Sequence, residues 1–172
     1  MNRQGKLHPA ALAIDELLRE CDVSRTRRGG PGGQHRNKVE TAVVLRHRPT
    51  GATGQASERR SQDLNRQAAV QRLRVQLALD VRREVVAHEL PSTLWQSRAR
   101  GRKLTVSSEH ADFPALLAEA LDRLAATEWD AAKTAEALGI TATQLVKFLQ
   151  QESRAIEQLN EARHTRGLHG LR

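Results

Sequence analysis

The sequence predicts an α+β fold in which a small mixed β-sheet packs on one long helix, followed by a C-terminal all-helical module. Three observations predict it. Short segments with strand-like alternation, separated by turn residues, occupy residues 21–56. From Ser61 the apolar residues recur at helical spacing, and residues 113–151 contain helical patterns only. At 172 residues the chain is long enough for one full domain and a smaller one.

The first elements follow from local signals. One helix is predicted over residues 9–20, because the fixed φ of a proline suits the first helical turn. Residues 21–27 alternate apolar and polar side chains and predict a strand that leads directly into a glycine-rich loop. A second strand, residues 41–47, is rich in β-branched side chains and stops before the turn tripeptide at 49–51. Residues 52–56 predict a weak third strand, expected to be ragged or to lie at a sheet edge.

Residues 61–87 predict one long amphipathic helix. Ser61 can accept a hydrogen bond from a first-turn amide, and Asp63 faces the positive end of the helix dipole. The apolar stripe is expected to face the sheet and consists of Val70, Leu73, Leu77 and Val81. Arginines between these positions are expected to point outward, where a solvated face and contact with phosphates are both open interpretations.

Residues 88–107 predict a basic connector, because Pro91 breaks any helix and four basic side chains surround Gly101 with little hydrophobic periodicity. Trp95 in this segment either stacks on a base or packs against a neighbouring domain, and packing is the favoured interpretation.

Residues 108–172 predict a helical module. The stretch "AAKTAEALGITATQLVKFLQQ" resembles a helix-turn-helix, with Ala135 against the second helix, Gly139 in the turn and Val146 in the shared core. The module as a whole is net acidic and its second helix offers few polar groups. A packing or docking role, with a protein partner for residues 108–172, is therefore favoured over sequence reading.

Positive charge is concentrated in the first part of the chain. Residues 1–107 carry 21 Lys and Arg against 10 Asp and Glu, a net charge of +11, whereas residues 108–172 carry 7 against 10, a net charge of −3. A cationic domain of this kind typically meets phosphate backbones, because neutralising them releases condensed counterions. A solubilising surface is the alternative interpretation.

Cysteine content and hydropathy predict the compartment. Cys21 is the single cysteine, so no disulfide can form within the chain, and its alternating neighbours predict a small buried side chain rather than a nucleophile. No apolar run approaches the roughly 18 residues of a membrane helix. A cytoplasmic protein without membrane contact is expected.

The glycine-rich loop has four glycines and a proline at residues 29–33, directly before Gln34. A nucleotide-hydrolase phosphate loop would need a closing Lys-Ser/Thr, and a dinucleotide fingerprint would need a helix immediately after it. A flexible surface loop is a third interpretation. A fourth fits best: adjacent glycines present the next amide N–H unshielded, so that it can bond to charge developing on an oxygen during acyl transfer. No cluster of Ser, His and Asp completes such a site, so the remaining catalytic groups must come from another molecule.

The segments "GPGGQHRNKVETAVVLRHRPTG" and "ERRSQDLNRQAA" resemble the catalytic domain of class I peptide chain release factors and related ribosome-rescue hydrolases, over about residues 20–85. The resemblance implies an α+β fold with the loop at one end of a small sheet. It also implies hydrolysis of the peptidyl-tRNA ester in the ribosomal peptidyl transferase centre, without metal or organic cofactor. Large-subunit rRNA and P-site peptidyl-tRNA are the implied partners.

By the same resemblance, three residues carry catalysis. Gly32 and Gly33 allow the loop to enter the site, Gln34 supplies a main-chain N–H, and its side chain confines water. The side-chain nitrogen of Gln34 is also a candidate for methylation. The residues expected to bind RNA are Arg25, Arg27, Arg28, Arg36, Lys38, Arg66, Arg72 and Arg74.

The predicted organisation is an N-terminal helix (1–20), a catalytic domain (21–87), the connector (88–107) and the helical module (108–172). Stop-codon-reading release factors are about twice as long, and this chain leaves no room for their codon domain. The tail of compact rescue relatives is strongly basic, whereas this one has few charges. The first hypothesis is therefore stop-codon-independent release on stalled ribosomes or large subunits. The alternatives are a non-catalytic ribosome- or RNA-binding adaptor and, third, a DNA-binding regulator acting through residues 130–151.

Overall fold

The structure, a computed structural model, describes residues 7–26, 42–86 and 89–171. These residues fall into two compact units, one within residues 1–80 and the other within residues 81–172. The predicted α+β class is confirmed, because the first unit combines a sheet with helices and the second is mainly helical. The functional division of the chain into four segments stays a prediction. None of the described helices is long and apolar enough to cross a membrane.

The first unit begins with two short helical pieces instead of the single predicted helix. Its elements are a short 3-10 helix (Pro9–Ala11), α1 (Ile14–Arg19), β1 (Cys21–Thr26), β2 (Ala42–His47), β3 (Thr53–Ala56) and α2 (Gln62–Asp80). The first two pieces are separate because Leu12 and Ala13 have extended backbones, with ψ of 149° and 145°. A continuous helix would need both residues in the helical region.

The sheet of the first unit has the strand order β1-β2-β3. Both of its pairings are antiparallel, so the parallel pairing implied by a mixed sheet is absent from the described strands. Antiparallel pairing follows from the short β2–β3 connection, since parallel strands need a long crossover. Gly51 has a φ of +75° in this turn. As expected, the third strand lies at a sheet edge.

Helix α2 packs on β2 and β3 at a distance that only glycine permits at position 54. A Cβ added to Gly54 would lie 2.3 Å from the carbonyl oxygen of Ala69 and 2.5 Å from the amide nitrogen of Leu73. Leu73 and Ala69 are fully buried in this contact layer. The sequence of the third strand has a low strand propensity because Gly54, which allows α2 to approach closely, has no side chain to pack in the sheet.

Substituting Gly54 with alanine should destabilise the first unit. The added methyl group meets backbone atoms of α2 that cannot rotate away, so strand and helix must separate, at a cost of about 1–3 kcal/mol or more. Denaturant unfolding measures this change in the free energy of unfolding. The neighbouring exposed residue Thr53 provides a control, since Thr53→Ala should change stability by only about 0.5 kcal/mol. Equal stability of the two variants would contradict the close packing.

The second unit contains one two-stranded hairpin and five helices among its described residues. Its elements are α3 (Thr93–Arg98), β4 (Ala99–Arg100), β5 (Lys103–Leu104), α4 (Phe113–Ala126), α5 (Ala131–Ala137), α6 (Ala142–Leu149) and α7 (Ser153–His164). Residues 88–107, for which we predicted a connector, thus include α3 and the β4–β5 hairpin. Regular structure forms there because Ser92 caps α3 and the turn of the hairpin accepts positive φ angles.

Trp95 lies in the core of the second unit. Its ring is fully buried, and its centroid lies 6.0 Å from that of Phe148 in an edge-to-face arrangement. Its Nε1 donates a hydrogen bond to the carbonyl oxygen of Leu138 at 2.8 Å. The packing interpretation of Trp95 is therefore confirmed, and base stacking is excluded for a ring in this position.

The helix-turn-helix packing is confirmed by α5 and α6. Gly139 has a φ of +69° in the turn between them, where a residue with a Cβ would be strained. Ala135 and Val146 are both buried, as predicted for the contact between the two helices. The side chain of Thr141 caps α6 by accepting a hydrogen bond from the amide of Gln144 at 3.2 Å.

Helix α2 ends at Asp80, so the prediction that it continues to residue 87 is wrong. The cause is hydrogen bonding to α4. The amide of Arg83 donates to Oδ1 of Asp122 at 2.9 Å, and Nη1 of Arg123 donates to the carbonyl oxygen of Val86 at 2.6 Å. These bonds hold residues 81–86 outside regular secondary structure.

Asp122 should make the second unit more stable at acidic than at neutral pH. Its burial raises the pKa of the carboxyl from 3.8 to about 6, while the amide of Arg83 and nearby arginines oppose the rise. Because the folded pKa lies above the unfolded one, the contribution is full below about pH 4 and is lost as the pH rises through about 6. The uncharged variant Asp122→Asn should remove this part of the pH dependence. Unfolding curves across pH 4–7 measure it, and identical slopes would refute it.

Candidate functional site

The Gly-Gly-Gln segment is attached to the sheet at two adjacent positions. Gly32, Gly33 and Gln34 lie outside the described residues, as does the rest of the segment 27–41. Thr26, the last residue of β1, is the cross-strand partner of Ala42, the first residue of β2. The 15-residue segment between them therefore leaves and re-enters the sheet at one end, which we call the loop end.

The start of α2 belongs to the loop end as well. Ala56, the last residue of β3, pairs with Val43, so β3 finishes beside the start of β2. Residues 57–61 then connect β3 to α2. The hydroxyl of Ser61 accepts a hydrogen bond from the amide of Leu64 at 3.4 Å, which confirms the predicted cap.

Asn65 fixes the backbone of this connection. Its side chain is fully buried, and its Oδ1 accepts a hydrogen bond from the amide of Arg59 at 2.9 Å. Its Nδ2 donates to the carbonyl oxygen of the same residue, also at 2.9 Å. A buried amide that satisfies both backbone groups of one residue holds that residue in a defined position. Arg59 and the adjacent Arg60 are consequently presented at the loop end with exposed side chains.

Four exposed arginines lie on the segments that meet at the loop end: Arg25, Arg59, Arg60 and Arg66. None of them forms an ion pair with another described residue, so their charges are available to a ligand. Arg25 and Arg66 are among the predicted RNA-binding residues, whereas Arg59 and Arg60 are not. The missed signal is topological, because an antiparallel hairpin followed by a helix returns the chain to the end where the loop departs.

Arg72 is engaged with its own unit, although half of its side chain is exposed. Its Nη1 donates to the carbonyl oxygen of Gln55 and to Oε1 of Glu58, both at 2.7 Å. The hydrogen bond from Arg72 lowers the pKa of the exposed Glu58 carboxyl. The Glu58 carboxylate offsets much of the positive charge that this position could offer to a phosphate.

Arg74 is buried, so the prediction that the arginines of α2 point outward is wrong at this position. Only 9% of Arg74 is exposed, and its Nε donates to the carbonyl oxygen of Ala10 at 2.8 Å. The side chain anchors the short 3-10 helix on α2. The remaining predicted RNA-binding residues lie outside the described residues: Arg27, Arg28, Arg36 and Lys38.

The opposite end of the sheet is held by a buried histidine. Nε2 of His47 lies 3.0 Å from Oε2 of Glu20, and its Nδ1 lies 2.8 Å from Oγ1 of Thr50. The amide of Arg48 also donates to the carbonyl oxygen of Glu20 at 2.9 Å. This network connects the turn after β2 to the end of α1, away from the loop end, and its role is structural.

Cys21 has the character of a core residue. It is buried, its Sγ lies 3.2 Å from the carbonyl oxygen of Leu17, and burial raises the pKa of its thiol. A raised pKa disfavours the thiolate, which is the nucleophilic form. Cys21 is therefore a structural residue, as predicted from the sequence, and not a nucleophile.

Two arginines of α2 should respond differently to the same substitution. Arg74→Ala should lower the free energy of unfolding by about 1.5–3 kcal/mol, because a buried bond from a charged donor is lost. Arg66→Ala should leave stability unchanged within about 0.5 kcal/mol. Under the hypothesis that the loop end contacts RNA phosphates, it should also weaken RNA binding. Thermal unfolding together with RNA titration measures both effects. If Arg74→Ala leaves stability unchanged and weakens RNA binding as much as Arg66→Ala does, the assignment is wrong.

Comparison with known proteins identifies the family. The sequence matches the RF-1 domain over residues 11–110, which is more than half of the chain. The chain therefore belongs to the RF-1 domain family, and the resemblance inferred from the Gly-Gly-Gln segment is confirmed.

Two of the relatives that the chain matches are release factors. It is 46% identical over 67 residues to the chloroplastic peptide chain release factor PrfB1 of Arabidopsis thaliana, covering 39% of this chain and 15% of that protein. It is 32% identical over 117 residues to peptide chain release factor 1 of Xylella fastidiosa, covering 61% of this chain and 30% of that protein. The chain thus spans less than a third of the length of these relatives. No solved structure was found to match it.

Proposed function

We propose that this chain hydrolyses the ester that joins a nascent peptide to P-site tRNA, within the peptidyl transferase centre of the large ribosomal subunit. The observation that carries the proposal is the match to the RF-1 domain over residues 11–110, which includes Gly32, Gly33 and Gln34. The paired strand ends at Thr26 and Ala42 support it, because they give this segment a fixed base.

The main-chain N–H of Gln34 acts as the hydrogen-bond donor to the oxygen on which charge develops. Gly32 and Gly33 leave room for the backbone to approach the ester, and the Gln34 side chain restricts the position of water. The described His47–Glu20 pair lies at the opposite end of the sheet from the loop. The proton acceptor is therefore assigned to the ribosome or to the tRNA hydroxyls rather than to this chain.

The cations of the loop end supply affinity rather than rate. Arg25, Arg59, Arg60 and Arg66 are exposed and are suited to rRNA phosphates around the entry to the site. Such contacts act on the free and the reacting complex alike, so they strengthen binding without lowering the barrier of the chemical step. A cytoplasmic location follows from this role.

Release by this chain is proposed to need no stop codon. The part of the sequence beyond the family match, residues 111–171, folds as α4 to α7 and the segments between them. This helical part is suited to recognising a stalled ribosome or a large subunit with a trapped peptide, alone or through a protein partner.

Release assays on ribosomes with P-site peptidyl-tRNA test the chemistry. Gln34→Pro removes the main-chain donor and should lower the release rate by about 100- to 1,000-fold. Gln34→Ala keeps the N–H and should lose less, and Gly33→Ala should impair entry of the loop. Ribosome binding should survive all three changes. His35→Ala tests whether this chain supplies its own general base. Under the proposal it does not, so the variant should retain most of the activity.

The outcomes separate the proposal from its alternatives. Equal release by the wild type, Gly33→Ala and Gln34→Pro would refute catalysis by the loop. Normal ribosome binding with no release from any complex would instead support the non-catalytic adaptor. Release is compared in parallel for three complexes, whose A site holds a stop codon, a sense codon or no mRNA codon. Release restricted to the stop-codon complex would refute stop-codon independence.

A further inference from the structure

The β4–β5 hairpin carries a basic tip that the proposed function does not use. Arg100, Arg102 and Lys103 are exposed there, and none of their side chains forms an ion pair or hydrogen bond with another described residue. Gly101 and Arg102 make the two-residue turn, with φ angles of +55° and +61°. Positive φ at both central positions is typical of the mirror-image turns that close tight hairpins.

The hairpin is held against the helix-turn-helix at several points. The carbonyl oxygen of Arg102 accepts a hydrogen bond from the amide of Thr141, the residue that caps α6, at 3.2 Å. Strand β5 packs against α6, and after it the carbonyl oxygen of Val106 accepts from Nε2 of Gln151 at 3.0 Å. The basic tip and the start of α6 therefore belong to one continuous surface.

The exposed face of α6 extends this surface with polar groups. Thr143 and Lys147 of α6 and Gln150, the residue that caps its C-terminus, are exposed at i, i+4 and i+7. Residues 98–107 and 137–151 contain no acidic residue, although residues 81–172 carry 12 Asp and Glu against 13 Lys and Arg. The hairpin and α6 thus contribute no acidic side chain to this surface.

Arg98 differs from the cations of the tip because an acidic side chain neutralises its charge. At the base of the hairpin its Nη2 lies 2.6 Å from Oδ2 of Asp112. The three cations of the tip have no such partner among the described residues. Their surroundings also argue against a protein partner, because protein interfaces have an apolar or aromatic core, whereas Thr143 and Gln150 are polar. Arginine, lysine, threonine and glutamine are the side chains that contact phosphate backbones.

We infer that the hairpin tip and the exposed face of α6 form a second nucleic-acid contact, which binds the phosphate backbone of RNA without reading sequence. We call it the hairpin surface; it consists of Arg100, Arg102, Lys103, Thr143, Lys147 and Gln150. It shares no residue with the Gly-Gly-Gln segment, and the inference stands whether or not that segment is catalytic. Structured RNA is favoured over DNA because it is the partner of the rest of the chain under the proposed function.

The test compares two charge-matched variants of the full chain. Arg100→Gln with Lys103→Gln removes two cations of the hairpin surface and leaves both turn residues intact. Lys133→Gln with Arg154→Gln removes two exposed cations that pair with Asp130 and Glu152. Thermal unfolding confirms that both variants fold. The probes are an RNA duplex of about 16 base pairs, its single strand, and a DNA duplex of the same sequence.

The Kd of the hairpin variant for the RNA duplex should rise about tenfold at low salt, and its salt dependence should become shallower by about two phosphate contacts. The control variant should bind as the wild type does. Equal affinity and equal salt dependence of the two variants would overturn the inference. A loss confined to the DNA duplex would overturn RNA as the ligand. A loss of ribosome binding with unchanged affinity for all three probes would point to a protein partner and would also overturn it.

Discussion

The antiparallel pairing of β1 with β2 is the interaction on which the candidate site depends. Six cross-strand pairs, from Cys21–His47 to Thr26–Ala42, fix both ends of the segment that carries Gly-Gly-Gln. Closing a segment of this length costs conformational entropy, which the strand pairing and the packing of α2 at Gly54 offset. Under the proposed function, the loop must place one amide in a site built by other molecules. Fixed strand ends help it to do so, since motion of those ends would raise the conformational entropy lost when the amide is positioned.

The arginines of α2 have roles that tertiary contacts decide. Arg66, Arg72 and Arg74 share one helix and one side-chain chemistry, yet one is exposed, one is paired with Glu58 and one is buried against Ala10. An arginine bonded to a backbone carbonyl contributes to folding, and an exposed arginine without an acidic partner is available to phosphates. Under the proposed function, net charge alone therefore overstates the candidate binding surface of the first unit, while the topology adds Arg59 and Arg60 to it.

Sequence reasoning succeeded where a feature is set by nearby residues. The β2 strand follows from the β propensity of its residues. The cap at Ser61 follows from a side chain that can accept from a first-turn amide, and the turn follows from Gly139, a residue that tolerates positive φ. It failed where distant residues decide, because no local pattern reveals that Asp122 and Arg123 bond to the backbone after α2. Composition likewise did not reveal that residues 88–107 contain α3 and the β4–β5 hairpin.

Charge summed over a segment conceals how charge is arranged in space, and the second unit illustrates the consequence. The near balance of its acidic and basic residues suggests a surface without preference for phosphates, but the hairpin surface contains no acidic residue. Two phosphate contacts in one chain can raise the overall affinity well above that of either, provided that a single ligand reaches both. Under the proposed function, loss of either contact would then weaken ribosome binding while the other contact still holds the chain.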